Sequence, residues 1–138
     1  HFYRAQAQTG DTTNDYELAL DHISKVNSHF YLKRLSIFDI LIITYYELDE
    51  IDRMFYQLDS YSHYLKVCRN LIPPPLYGKQ QNFNKLAHTL GKLKSDFRKR
   101  EFEKLAESIN KEGNCAHKDW LLRKIALFKK QEKTYSMH

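Results

Sequence analysis

The chain has 138 residues and a net charge of +5, and aromatic residues are abundant, with ten Tyr and eight Phe. Its length fits a single domain with one ordinary core, and only four Gly and three Pro interrupt it, which favours an all-α fold. The composition excludes a membrane-spanning helix, because no run approaches the ~20 apolar residues that such a helix needs.

Two cysteines, Cys68 and Cys115, lie far apart in the sequence. Isolated thiols of this kind are typical of a reducing compartment, so we expect a cytoplasmic protein, and a disulfide is the alternative. The chain begins at His1 without a signal-type pattern, which fits a processed chain or an excised fragment.

Apolar residues recur at helical spacing along most of the chain, which predicts about six or seven helices. A helical start covers 1–8, and the helices that follow are expected at 15–26, 29–47, 51–69, 79–93, 96–109 and 115–130. Short polar turns join them, so consecutive helices should pack antiparallel. Residues 131–138 are expected to fray.

Breakers and caps predict where these helices begin and end. The prolines Pro73–Pro75 cannot continue a helix, so the next helix should begin only after Gly78. Ser95 is the predicted cap of the helix that follows. Gly113 marks a helix stop, and Asn114 is the predicted cap of the last helix.

The stretch Ile37–Val67 is predicted to form a helix hairpin around which the rest of the chain is organised. Its first half has little polar face, which indicates a helix covered on more than one side. A strand over 43–46 is the alternative, since Ile, Thr and Tyr suit strands. Asp49 should cap the second helix, and Asp52 should place favourable negative charge in its first turn. The apolar stripe of this second helix consists of Ile51, Met54, Phe55, Leu58, Tyr61, Leu65 and Cys68.

Two segments within residues 1–70 have the residue spacing of a helical repeat. Tyr45 lies nine residues before Met54, and the segment 10–26 has a similar turn and second helix, with Ala19 at the small position. With this spacing, residues 1–70 resemble two successive, degenerate tetratricopeptide (TPR)-like units. Met54 departs from the TPR pattern, because a small residue is expected where the two helices approach closely.

The runs YYELDEIDRMFYQLDSYSHYLK, NFNKLAHTLGKLK, EKLAESI and KDWLLRKI extend the resemblance over 30–128. They resemble the carboxyl-terminal part of bacterial proteins that are built from TPR-like helical repeats. The resemblance implies one domain over 1–138, in which antiparallel helix hairpins stack as a short TPR-like α-solenoid. It also implies that 79–130 form terminal capping helices, which shield the last apolar face of such an array.

No catalytic, phosphate-binding or metal-binding motif stands out in the sequence. Cys115 and His117 form a two-ligand fragment without a second pair of metal ligands. The acidic residues within 47–52 fit a solvated turn better than a pair of carboxylates for acid–base catalysis. We therefore expect a non-enzymatic protein that uses no metal and no cofactor.

Tyr46, Tyr56 and Tyr64 are predicted to lie off the main apolar stripe, where tyrosines are good anchors for a binding partner. Arg53 and Lys66 would supply charge beside them. These residues predict an interaction or scaffold module that binds a peptide or protein partner, or the flanking repeats of its own parent chain. Packing of the tyrosines against neighbouring helices is the alternative.

The charge is uneven along the chain. Residues 1–71 carry seven Lys and Arg against ten Asp and Glu, whereas residues 72–138 carry fifteen against seven. A basic half is typical of proteins that bind nucleic acid, although interleaved acids also fit the solvated faces of amphipathic helices. The alternative function is therefore nucleic-acid binding, with phosphate contacts from Lys92, Lys94, Arg98, Lys99 and Arg100.

Overall fold

The computed structural model describes residues 31–136. These residues form five α-helices and no strand: α1 over 31–47, α2 over Ile51–Val67, α3 over Pro74–Ser95, α4 over Lys99–Lys111 and α5 over Lys118–Ser136. The predicted all-α fold is confirmed for this part of the chain, and the alternative strand over 43–46 is wrong. The predicted helical segments 1–8 and 15–26 lie outside the described residues.

A tight turn joins α1 to α2. Asp49 has a left-handed backbone with a φ of 61°, which Asp tolerates better than most residues. Its amide donates to the Tyr46 carbonyl at 3.1 Å, and the Glu50 amide donates to the Tyr45 carbonyl at 2.8 Å, so these two carbonyls at the end of α1 are satisfied. The prediction that Asp49 caps α2 is wrong, because Glu50 is the N-cap and no side chain caps that end. Asp52 lies in the first turn, as predicted.

The helix α3 begins earlier than the sequence predicts. Its N-cap is Pro73 and its first helical residue is Pro74, so Gly78 lies inside the helix rather than before it. Proline is favoured at the first helical position, because its missing amide would have no partner there and its fixed φ suits a helix. The predicted interruption is confirmed, since residues 68–73 lie between two helices.

The prediction that Ser95 caps the next helix is wrong. Ser95 is the last residue of α3, and residues 96–98 separate it from α4, which begins at Lys99. No side chain caps the start of α4, so its apolar pattern rather than a cap signal accounts for the helix. The buried residues of α4 are Phe102, Leu105, Ala106 and Ile109, which form one stripe at helical spacing.

The last helix begins later and ends later than predicted. α5 begins at Lys118 rather than at Cys115, because Cys115 is a buried residue of the loop ahead of the helix. Asn114 does not cap α5; its side-chain amide instead donates to the Pro75 carbonyl at 3.1 Å and ties the loop to the start of α3. The backbone of α5 continues to Ser136, so the predicted fraying is wrong for residues 131–136.

The helices share one hydrophobic core. From α2 onward, helices that are consecutive in the chain pack together, and α3 also contacts α5. α1 packs on α2 through Phe38 and Tyr61, with ring centroids 5.1 Å apart, and reaches α5 through Tyr46 and Trp120, 5.3 Å apart. This last contact brings the first and last described helices together, which a strictly sequential solenoid does not do. The largest fully buried side chains are Tyr61, Phe83, Ile42, Met54, Leu58, Leu90, Ile109 and Leu121.

Gly91 on α3 packs closely against α2. A Cβ atom on Gly91 would lie 3.0 Å from the Met54 sulfur and 3.1 Å from Phe55 Cε1, so only glycine fits there without movement of its neighbours. At this contact the smallest residue type, on α3, lies opposite the large side chains of Met54 and Phe55 on α2.

Within the described residues α1 is buried on one side only. Tyr31, Leu35 and Ile42 lie on the buried side, whereas Ile37 is 53% exposed and Ile40 is 62% exposed on the opposite side. The prediction that this helix is covered on more than one side is therefore wrong for the part of the chain that the structure describes.

Candidate functional site

A groove of about 690 Å³ runs along the surface between α1 and α2. We call it the outer groove and define it by Arg34 and Phe38 on α1 and by Tyr56, Asp59, His63, Tyr64, Lys66 and Val67 on α2. The periodicity of α2 places Tyr56, Asp59, His63 and Val67 on one helical face, at steps of three and four residues. Three of the predicted partner-binding residues, Tyr56, Tyr64 and Lys66, are brought together here.

Aromatic side chains line the outer groove. The ring of Tyr64 is tilted against that of Phe38, with centroids 5.7 Å apart, and the Arg34 guanidinium lies 5.9 Å from the Phe38 centroid. Burial, with the neighbouring Cys68 thiol, raises the pKa of Tyr64 to about 12, so its hydroxyl is neutral at pH 7. Tyr56 is 70% exposed and is therefore open to a ligand.

The rim of the outer groove is basic. Arg34 and Lys66 are exposed, and among residues 31–136 no carboxylate lies within ion-pair distance of either. Asp59 is the single carboxylate of the described lining, so the two cations outnumber the acid. Cations beside an apolar surface and without a local counterion are suited to bind an anionic group.

Arg53 and Tyr46 do not contribute to this groove. Arg53 lies on the exposed side of the first turn of α2, 3.6 Å from the Glu50 carboxylate. Tyr46 is only 4% exposed, and the Lys94 ammonium lies 4.1 Å from its ring centroid. The prediction that Tyr46 lies off the buried stripe is wrong, because it follows Ile42 by four residues and so continues the buried side of α1. Burial raises the pKa of Tyr46, assisted by the nearby acidic groups.

The five basic residues predicted as phosphate contacts do not form one open surface. Lys94 turns inward, where its ammonium donates to the Tyr46 carbonyl and lies 3.7 Å from the Asp49 carboxylate. Arg98 pairs with Asp96 at 3.2 Å. Lys92, Lys99 and Arg100 are exposed.

A second groove, of about 420 Å³, lies beside this basic segment. Its charged lining contains Lys92 and Arg98 together with Asp96 and Glu101, so the two bases are matched by two acids. Phe55 contributes an apolar wall. This balance of charge makes the second groove a poor site for a polyanion.

The structure also contains a buried polar cluster that the sequence does not reveal. Asp39 is 4% exposed, and its carboxylate lies 3.0 Å from His117 Nε2. With its amide nitrogen facing Asp39, Gln80 donates to both carboxylate oxygens, at 3.2 and 3.0 Å, and it also contacts the Tyr61 hydroxyl. Burial raises the pKa of Asp39, against the lowering effects of His117 and Tyr61. The only signal in the sequence is one Asp within an apolar helix.

This polar cluster ties four parts of the chain together, namely α1, α2, α3 and the loop before α5. His117 has a left-handed backbone, with a φ of 54°, directly before α5. The nearby Cys115 is buried, and this burial raises the pKa of its thiol to about 11, so a reactive thiolate is disfavoured. Among the described residues no group of three or more His, Cys, Asp and Glu could hold a metal ion.

Comparison of the chain with models of protein families, with curated proteins and with solved structures gives no match. The resemblance to TPR-like repeat proteins therefore stays a prediction. None of the helices in the described part of the chain has the length and apolar character needed to cross a membrane.

Proposed function

We propose that this protein is a non-enzymatic helical interaction module that binds a peptide or protein partner in its outer groove. The observation that carries the proposal is the combination of an aromatic surface, formed by Phe38, Tyr56 and Tyr64, with two cations that have no carboxylate partner among the described residues.

The aromatic side chains of the outer groove lose little conformational entropy when a ligand binds. Tyr and Phe side chains bury a large area with few rotatable bonds, so they provide binding energy at a low entropic cost. Tyr64 is held in place by Phe38, whereas Tyr56 is free to adapt. A groove between two helices also fits the common mode in which a helical or extended segment lies along a helical surface.

We also propose that the chain is a TPR-like scaffold module of the cytoplasm. In this interpretation α1–α2 and α3–α4 are stacked hairpins of a short α-solenoid, and α5 is its cap. The close approach at Gly91 supports the stacking, whereas the contact of α1 with α5 is tighter than a sequential array requires. The two free, buried thiols of Cys68 and Cys115 support a reducing compartment.

Nucleic-acid binding through residues 92–100 has less support. Lys94 is engaged with Tyr46 and Asp49, and Arg98 is paired with Asp96. The phosphate contacts expected of a nucleic-acid surface need several cations on one open face.

Selection of peptides from a random displayed library on the immobilised protein tests the proposed function. The test variant is Tyr56→Ser/Val67→Ser, because both side chains line the outer groove and both are exposed, so the fold should persist. The matched control is Leu48→Ser/Leu127→Ser, which removes two exposed apolar side chains elsewhere.

We expect the selected peptides to bind the wild type and the control but not the groove variant. Circular dichroism of all three proteins checks that each is folded. The proposed function fails if no peptide is enriched, or if the groove variant binds the enriched peptides as well as the control does.

A further inference from the structure

We propose that the outer groove selects an acidic peptide segment, in which an apolar or aromatic side chain stands next to Asp or Glu. This inference rests on the proposed function and names the chemistry of the partner. The apolar side chain would contact the aromatic surface, and the neighbouring carboxylates would pair with Arg34 and Lys66.

Arg34 lies beside the aromatic surface of the outer groove. Its guanidinium lies 5.9 Å from the Phe38 centroid, and its charge acts to lower the pKa of Tyr64, so it stands close to both aromatic rings. A guanidinium next to an apolar surface offers two parallel donors to a carboxylate and is less screened than one in open water. A ligand that fills the aromatic surface therefore carries its carboxylate directly to Arg34.

Arg34 and Lys66 both line the outer groove, and neither is engaged in an ion pair with a described residue. Other exposed cations, such as Lys85 and Lys104, also lack an ion pair among the described residues, but they do not line this groove. A partner that supplies the missing carboxylates would gain charge-assisted hydrogen bonds without breaking an existing ion pair.

The lining of the outer groove favours an acidic peptide over a nucleic acid, although a nucleic acid also stacks on aromatic rings and pairs with cations. Asp59 lies on the same lining, between Tyr56 and His63 in the sequence of α2. A nucleic acid presents a charge at every phosphate and is repelled where it passes Asp59. A peptide spaces its charges irregularly and can place a neutral or basic residue there, so the lining favours a peptide.

Three pools of short fluorescein-labelled peptides test this inference by fluorescence anisotropy on the full chain. All pools share the same apolar positions, and the other positions contain Asp and Glu, Lys and Arg, or only Ser, Asn and Gln. A single-stranded oligothymidylate is the nucleic-acid probe. The test variant is Arg34→Glu/Lys66→Glu. The control is Lys85→Glu/Lys104→Glu, which makes the same change in net charge on exposed parts of α3 and α4.

We expect the acidic pool to bind the wild type about tenfold more tightly than the neutral pool, since two exposed ion pairs contribute that much. The test variant should lose this preference and favour the basic pool, whereas the control should keep the acidic preference. Added salt should reduce the difference in affinity between the acidic and neutral pools, because it screens the ion pairs.

The outcomes separate this inference from the proposed function. Equal binding of acidic and neutral pools, unchanged in the test variant, would overturn the selection of carboxylates and leave peptide binding intact. Equal losses of affinity for the acidic pool in the test variant and the control would also overturn the inference. The preference for acidic peptides would then come from the net charge of the protein rather than from Arg34 and Lys66. If no peptide pool binds, or if the oligothymidylate binds more tightly than every peptide pool, both the inference and the proposed function are overturned.

Discussion

The α1–α2 hairpin has an inner side that faces α3 and α5 and an outer side that holds the outer groove. On the inner side the polar groups are paired: Asp39 with His117, and Lys94 with Tyr46 and Asp49. No buried side-chain nitrogen or oxygen of the described residues lacks a hydrogen-bond partner. On the outer side Arg34 and Lys66 have no carboxylate partner among these residues. Charged side chains therefore stabilise the fold on the inner side, whereas on the outer side they are available to a binding partner.

The difference also shows that density of charge in the sequence is a poor guide to available charge. The basic segment 92–100 is the densest in the chain, yet two of its cations already have acidic partners, Lys94 with Asp49 and Arg98 with Asp96. Arg34 and Lys66 are far apart in the sequence, but the hairpin brings them to one groove.

The largest expected effect separates the two sides of α2. Leu58 is 1% exposed on the inner side, so Leu58→Ala should lower the free energy of unfolding by ~2–5 kcal/mol. Tyr56 is 70% exposed on the outer side, and Tyr56→Ala should change it by no more than ~0.5 kcal/mol. Urea unfolding measures both. Similar losses for the two variants would break the distinction between the sides.

The next effect concerns the close approach on the inner side. Gly91→Leu forces a side chain against Met54 and Phe55, and overpacking of this kind should cost ~1–3 kcal/mol in unfolding free energy. Gly113→Leu is the matched control, because no atom lies within 4 Å of a Cβ placed there. Adding Met54→Ala to Gly91→Leu should cost less than the sum of the two single changes. Equal stability of the Gly91 and Gly113 variants would contradict the observed packing.

A smaller effect compares a cation on each side. Lys94→Ala removes a donor to the Tyr46 carbonyl and a cation–π contact, which together should cost about 1–2 kcal/mol. Lys66→Ala removes an exposed cation and should change the stability by less than ~0.5 kcal/mol. Thermal unfolding at low and high salt checks both. The comparison fails if the Lys66 variant is the less stable of the two.

The smallest effect is the pH dependence of the buried Asp39. Burial raises its pKa above the ordinary value of 3.8, so the folded state holds the proton more tightly than the unfolded state does. Its contribution to stability is then full below pH 3.8 and is lost as the pH rises through the folded pKa. Relative to Asp39→Asn, the wild type should become less stable across this window, as measured by urea unfolding at a series of pH values. The opposite trend would show that His117 dominates over burial.

The helices could be predicted because their apolar residues recur at helical spacing. Their ends could not be predicted, since a proline can interrupt a helix or begin one, as Pro74 does, and Ser95 lies inside α3 although its residue type is typical of a helix cap. The outer groove could be predicted in part: Tyr56 and Lys66 are outward residues of a helix with one apolar stripe. Tyr46 was misplaced because neighbouring residues of a helix differ by only about 100° in direction, so the edge of a stripe is ambiguous.

The polar cluster could not be predicted at all. Asp39 and His117 are 78 residues apart, and no local pattern connects them. Arg34 and Phe38 were missed for a related reason, because the groove depends on how α1 lies against α2. An unusual residue such as an Asp in an apolar helix indicates that a partner exists, but only the fold identifies that partner.

Amide chemical-shift mapping of the full chain with the tightest acidic peptide from the pools is the most direct test of a binding surface on the outer side. We predict that the largest shifts fall on the outer groove, at Arg34, Tyr56, Tyr64 and Lys66, and that the amides of residues 92–100 change little. Shifts concentrated on residues 92–100, or spread over the molecule without a centre, would contradict the assignment of the outer groove as the binding site.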